Sequence, residues 1–334
     1  MRFVNWNIQW MNNWFVNGNK IGFKDTYSGI TSVDALAKRV SNVILSSNPD
    51  VITIEEGPSS IKEMELFVQT YLSENNNTLF DVHGGIDGGA QKIYALVKKS
   101  GVFKEADLAS DDASKELENV WEVDVDGDLN LDSYDFTRLP LILDGKYNNQ
   151  EYRIVILHTK SKYVHEGKSR WNDPVKRPGF VKDAVKNRRR ISAESMRLRI
   201  YLDELLEQDP GKKIIVTGDF NDGPGIDYFE RYYVTHNTTD ILLGSTYYPS
   251  LQLKHTFLDK VPADKLYTAV FNDFVDNINN RPLLLDHILV SPALKDSISK
   301  SGILHDEFES EIDTNSQGRQ RDPSDHRPVF LEIE

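Results

Sequence analysis

The chain has 334 residues, 39% hydrophobic and 10% aromatic, enough to bury a sizeable core in one large domain or two small ones. Its 39 Lys and Arg against 52 Asp and Glu leave a formal net charge of -13. That balance counts against a protein held to nucleic acid mainly by charge, but not against one that reaches phosphates through a metal ion. The absence of cysteine rules out disulfides and thiolate metal sites, and no stretch approaches the roughly 18 apolar residues of a membrane span.

Residues 2–8 alternate apolar and polar, as a half-buried strand does, and the N-terminus lacks the apolar stretch of a signal peptide. A cytoplasmic location is therefore expected, with secretion as the alternative. Residues 9–31, rich in Asn and Gly, read as a loop. Residues 32–46 place Val33, Leu36, Ala37, Val40, Val43 and Ile44 at helical spacing, and Asn48-Pro49-Asp50 ends that helix. Val51 to Ile54 predict a buried strand, residues 61–74 a second helix, and further strands fall near 92–97, 119–125, 137–143 and 151–158. Residues 162–190 carry two prolines and predict a loop over most of their length. Ile191, Met196, Leu198, Leu202, Leu205 and Leu206 then mark a helix over 191–207, stopped by Asp209-Pro210-Gly211. Strands follow at 214–217, 284–290 and 328–333. No internal repeat or Pro/Ser linker divides the chain, so residues 1–334 read as one domain. Many short strands covered by a few helices fit a two-sheet sandwich.

Six segments put polar or ionisable residues at the tips of apolar strands: Asn5-Trp6-Asn7, Ile54-Glu55-Glu56, Leu157 to Lys162, Gly218-Asp219-Phe220-Asn221, Leu285-Asp286-His287-Ile288 and Ser324 to Pro328. Singly, each reads as well as a helix cap or turn. Together they supply hard oxygen donors (Asn7, Glu56, Asp219, Asn221, Asp325) and two histidines (His158, His326). Oxygen donors suit Mg²⁺, Mn²⁺ or Ca²⁺, and histidine moves protons near neutral pH. Phosphodiester hydrolysis needs a cation on the phosphoryl oxygens, a base for the attacking water and a donor for the leaving oxygen.

In order and spacing, these segments resemble the endonuclease/exonuclease/phosphatase superfamily along essentially the whole chain. Gly-Asp-Phe-Asn and Ser-Asp-His-Arg-Pro-Val are its specific markers, and Pro49 to Glu56 resembles its Pro-Asp-hydrophobic-Gln-Glu segment, with Glu55 where Gln is usual. The resemblance implies a DNase I-like four-layer α/β/β/α sandwich of two packed mixed sheets. It implies that Asn7 and Glu56 hold a divalent cation, with Asp325 near it. Asp219 would orient or deprotonate the attacking water, and Asn221 would bind a phosphate oxygen. His326 would contact the scissile phosphate as base or electrostatic stabiliser, held in one tautomer by Asp286, and His158 would be the leaving-group acid. Thr159-Lys160-Ser161-Lys162 resembles a segment of a bacterial nuclease branch, which favours nucleic acid as substrate. The alternative substrate is a small phosphoester such as an inositol phosphate or the sphingomyelin headgroup.

Arg138, Lys160, Lys162, Arg189 and Arg190 are the candidate substrate-binding cations, weighed against solvated strand and helix ends. Trp171 is a candidate stacking surface. His287 reads as structural. Asp124, Asp126, Asp128, Asn130, Asp132 and Asp135 have the spacing of a Ca²⁺ loop, but Leu129 replaces its required Gly, and the flanks predict a β-hairpin instead. The Gly-rich segment His83 to Gly89 lacks phosphate-loop spacing and reads as a plain loop.

Overall fold

The computed structural model describes residues 1–16, 21–86 and 89–334. Two six-stranded sheets form its centre. The first runs Ile298–Ile303, Val329–Ile333, Arg2–Asn7, Val51–Gly57, Lys92–Lys98, Phe80–Gly84. The second runs Lys254–His255, Asp286–Val290, Lys213–Asp219, Gln150–His158, Leu141–Tyr147, Lys104–Leu108. Both are mixed: Arg2–Asn7 pairs parallel with Val51–Gly57, and Gln150–His158 parallel with Lys213–Asp219, while the other ladders are antiparallel.

Successive strand residues face opposite sides of a sheet. Phe3, Val51, Ile154, Ile156, Ile215 and Ile288 point into the layer between the sheets. Val4, Ile52 and Ile54 point outward against the helices Val33–Ser47 and Ile61–Tyr71. Val155, Leu157, Ile214 and Val216 point outward against Leu198, Leu202 and Leu205 of the helix Arg177–Gln208. With both faces covered, the central strands read as nearly unbroken apolar runs. The result is the expected α/β/β/α sandwich.

The expected helix at 32–46 spans Val33–Ser47, capped by the Ser32 side chain, which accepts from Ala35 N. The segment 162–190 corrects the sequence reading. It holds a short helix, Gly167–Asn172, and the first half of a 32-residue helix, Arg177–Gln208. Pro178 lies in that helix's first turn, where the amide it lacks has no intrahelical partner anyway, and Pro174 precedes the helix. The prolines therefore mark a helix start. The second helix ends at Tyr71, short of 74, and the 9–31 loop contains a 3-10 turn at Met11–Trp14. The Asp-rich segment is the expected hairpin, Trp121–Val123 against Asp132–Tyr134. Of the Gly-rich segment, His83 and Gly84 close a strand, whereas Asp87 and Gly88 lie outside the described residues.

Candidate active site

The inward-facing register that builds the inter-sheet core continues to the strand ends, where it changes from apolar to ionisable. In the first sheet Asn7 sits opposite Glu55. In the second, His158 sits opposite Asp219, and Asp219 opposite Asp286. Period-2 alternation thus delivers five polar side chains to one end of the layer between the sheets. Asn7 joins the two sheets directly, its Nδ2 donating to Asp219 Oδ2 at 2.9 Å. His158 Nε2 lies 3.6 Å from the same carboxylate oxygen.

Local backbone geometry fixes the remaining groups. Gly218, at φ 138°, leads into Asp219, and a Cβ there would lie 1.8 Å from the Leu157 carbonyl oxygen. Only glycine permits the two strands to approach so closely. Asn221, at φ 49°, closes a turn in which its N–H donates to Asp219 Oδ1 at 2.8 Å. Its Nδ2 donates to the Thr159 carbonyl at 3.2 Å. The ladder between Val51–Gly57 and Lys92–Lys98 shifts register between Ile54 and Gly57, and Glu56 has φ 55°. This bulge re-aims the Glu pair: Glu55 is fully buried, and Glu56 accepts from Trp10 N and Gln91 Nε2, both at 2.7 Å. His326 Nδ1 contacts Asp286 Oδ2 at 2.8 Å. Its backbone is held by Trp6 Nε1, which donates to the His326 carbonyl at 2.7 Å, and Ser324 Oγ donates to the Asn7 carbonyl at 2.7 Å.

Burial and crowding of like charge set the protonation states. Burial pushes Asp219 up to about 7, Asp286 adding to the rise and His326 opposing it. Burial also raises Glu55, Glu56 and Asp325, with further repulsion among the carboxylates. His326 is buried too, yet Asp286 and Asp219 hold its pKa well above the ordinary imidazole value. His158 is pushed well below that value by burial, with Arg138 and His326 adding to the effect.

The donor set fits a hard divalent cation. Asn7 Oδ1 and Asp286 Oδ1 are buried without a hydrogen-bond partner among the described residues. Buried oxygens lacking donors, inside a group of carboxylates that repel one another, are what a cation would satisfy. Asp219, Asp286 and His326 each offer a ligand atom within 4.8 Å of the others, but the Asp286–His326 contact already occupies one oxygen. Among the described residues, two other groups share that spacing. Asp222, Glu230 and His236 are neutralised by Lys162, and the outer trio Asp124, Asp126 and Asp128 is partly taken by Arg189.

The candidate substrate cations divide sharply. Arg138 lies at the site, donating to Gln91 Oε1 at 2.7 Å and to the Thr159 carbonyl at 3.3 Å. Lys160 is beside it: burial, and then the Arg138 charge, lower its pKa. Lys162 instead turns away into a nearly buried cluster, with Asp222 and Glu230 oxygens both at 2.6 Å. Arg189 pairs with Asp126 at 2.5 Å, and Arg190 pairs with Asp135. Trp171 packs edge-on against Phe180, Tyr228 and Phe229. His287 contacts His255 and the Asp222 carbonyl and stacks on Phe220, a structural role.

Sequence reasoning missed several groups at the site. Gln91 bridges Arg138 to Glu56. Glu194, buried in the long helix, accepts from Thr137 N at 2.9 Å and Lys160 N at 2.9 Å, fastening both cation-bearing segments. Ser324 is visible as the first residue of a marker motif but carries no role in that pattern. Gln91 and Glu194 give no local signal, because each acts on a segment distant in the chain.

The chain belongs to the Endonuclease/Exonuclease/phosphatase family, whose profile matches residues 121–326. In fold it is similar to truncated TDP2 of Caenorhabditis elegans, at TM-score 0.51 and 13% identity, covering 99% of this chain and 95% of that one. It is also similar to a 3'-5' exonuclease (NExo) of Neisseria meningitidis, at TM-score 0.51 and 14% identity with both chains covered in full. A mannosyl-6-phosphatase of Bacteroides thetaiotaomicron gives TM-score 0.51 and 14% identity, covering 100% of this chain and 99% of that one. At these identities the likeness concerns the fold. No curated protein sequence matches the chain.

Proposed function

We propose that this protein is a divalent-metal-dependent phosphodiesterase, and specifically an endo- or exonuclease. The observation that carries the reading is the meeting of Asn7 and Glu55 from one sheet with His158, Asp219 and Asp286 from the other, beside Glu56, Asp325 and His326. Asn7, Glu56 and Asp325 would hold the cation, Mg²⁺ or else Mn²⁺ or Ca²⁺. Bound there, it would neutralise charge on the phosphoryl oxygens. Asp219, poised near neutrality, takes the proton of the attacking water. Cationic His326, oriented by Asp286, stabilises the negative charge that builds on phosphate. Neutral His158 acts on the leaving oxygen as a hydrogen-bond donor. Asn221, Arg138 and Lys160 contact phosphate oxygens.

Arg138 and Lys160, side by side at the end of the His158 strand, support nucleic acid as substrate. Lys162, Arg189 and Arg190 would have to leave ion pairs to join them. Those engaged cations, with the net charge of -13, favour the second reading, hydrolysis of an inositol phosphate or lipid headgroup phosphoester. We also take residues 1–334 as one domain, because the first and last long strands pair with each other, and we take the cytoplasm as its compartment. Among the described residues no helix is long and apolar enough to cross a membrane.

Nicking of supercoiled plasmid and cleavage of single-stranded oligonucleotides should be assayed beside inositol phosphate and sphingomyelin, with Mg²⁺ and with chelator. The expected result is metal-dependent cleavage of nucleic acid. Intact DNA and RNA with hydrolysis of another phosphoester would establish the second reading.

A further inference from the structure

Trp10 is the one exposed tryptophan. Trp6 and Trp14 are fully buried, and Trp121 and Trp171 pack on neighbouring aromatic rings. Trp10 is 45% exposed, and its ring has no aromatic neighbour among the described residues. Its backbone is left-handed, at φ 52° and ψ 37°. A bulky side chain is disfavoured there, and glycine is the residue that adopts this geometry freely. The local fold uses the Trp10 backbone, whose N–H donates to Glu56 Oε2 at 2.7 Å and whose carbonyl accepts from Asn13 N at 2.9 Å, and glycine would supply both equally well.

The ring's surroundings place it at the site. Its own amide holds the proposed cation ligand Glu56. The Arg319 guanidinium carbon lies 5.6 Å from the ring centroid, and the Arg319 charge acts on Asp325. Arg319 is fixed in turn by Gln9 and by Tyr27, donating to the Tyr27 hydroxyl at 2.9 Å. A large apolar ring is therefore held open to water on a left-handed residue whose amide binds Glu56, with a fixed guanidinium beside the ring. Strain retained beside reacting groups is evidence of a binding role. A flat π surface next to a phosphate-binding centre matches a nucleobase, and base–aromatic stacking tolerates any sequence.

We propose that Trp10 is a substrate-stacking residue whose indole packs on the base of the nucleotide flanking the scissile phosphate on the Glu56 side. The inference rests on the nuclease reading and makes the substrate one with a flat ring at that position.

The test compares the wild type, Trp10→Gly and Trp10→Phe. Each is assayed on an oligonucleotide cleaved by the wild type and on the same oligonucleotide with abasic tetrahydrofuran residues around the cleaved bond. Trp10→Gly should raise the ratio of KM for the base-bearing substrate to KM for the abasic one by roughly 5- to 150-fold. Trp10→Phe should restore most of the difference. The thermal midpoint of Trp10→Gly should equal or exceed the wild-type value, since glycine relieves the backbone. A structural role would instead lower the midpoint and impair both substrates alike, and either that result or an unchanged KM ratio overturns the inference alone. Failure of the wild type to cleave any nucleic acid overturns the nuclease reading, and this inference with it.

Discussion

Replacing Glu55 by Gln removes one proton-binding site and alters the shape of the side chain very little. Glu55 is fully buried, and Asp286 and Asp219 lie close enough to raise its pKa further above the ordinary 4.5. The folded protein therefore keeps a proton that the unfolded chain releases. The sign follows from linkage: a carboxyl with a raised folded pKa lowers stability progressively as pH climbs above its unfolded value, until the folded pKa is reached. Over that window the slope is about 1.4 kcal/mol per pH unit. Gln carries no such penalty, so the variant should gain on the wild type by about 1.4 kcal/mol per pH unit above the ordinary carboxylate range. Urea unfolding of both proteins at several pH values between 5 and 8, in chelator, measures this directly, with equal m-values as the control. A stability difference that does not change with pH, or a variant less stable throughout, would refute the assignment of Glu55 as a neutral buried acid.

Asp219→Asn and His326→Ala should each lower kcat by about 10²–10⁴-fold while circular dichroism stays unchanged, and full activity in either variant would contradict the base and stabiliser roles of these residues. Lys162→Met should remove the nearest cation from the buried Asp222 and Glu230 carboxylates, leaving Glu230 only Arg188 at 3.5 Å, and cost up to about 3–5 kcal/mol, read by denaturant unfolding. A raised KM at unchanged stability would instead return Lys162 to the substrate. Mg²⁺ should raise the thermal midpoint more at pH 8 than at pH 6, because burial raises the pKa of Glu56 and Asp325 and protons compete with the cation more strongly at the lower pH. A shift as large at pH 6 would count against these two ligands.

The parts of the site legible in the sequence are those written by local pattern. Apolar runs ending in Asn7, Glu55-Glu56, His158, Asp219 and Asp286 encode strands whose inward register ends in chemistry, so alternation alone points to this end of the layer. What is not legible depends on partners far along the chain. Lys162 follows His158 in an exposed-looking Lys-Ser-Lys run, yet Asp222, Asp227 and Glu230 from beyond the next strand draw it inward. Arg189 and Arg190 look like a basic track, but Asp126 and Asp135 of the acidic hairpin meet them. The helix start at Arg177 is hidden because proline signals both a helix's first turn and its interruption. Glu55 stands out only as a departure from the family pattern; its isolation in the core depends on the packing of the two sheets.

On the proposed reading, Asn7, Glu56 and Asp325 would hold the cation of a phosphodiesterase. Anomalous diffraction from crystals soaked in Mn²⁺ tests it most directly. The expected map has its principal peak among these three side chains, beside Asp219. A peak confined to the Asp124–Asp126–Asp128 trio or to the Asp222–Glu230–His236 cluster, with none at Glu56, would contradict that claim.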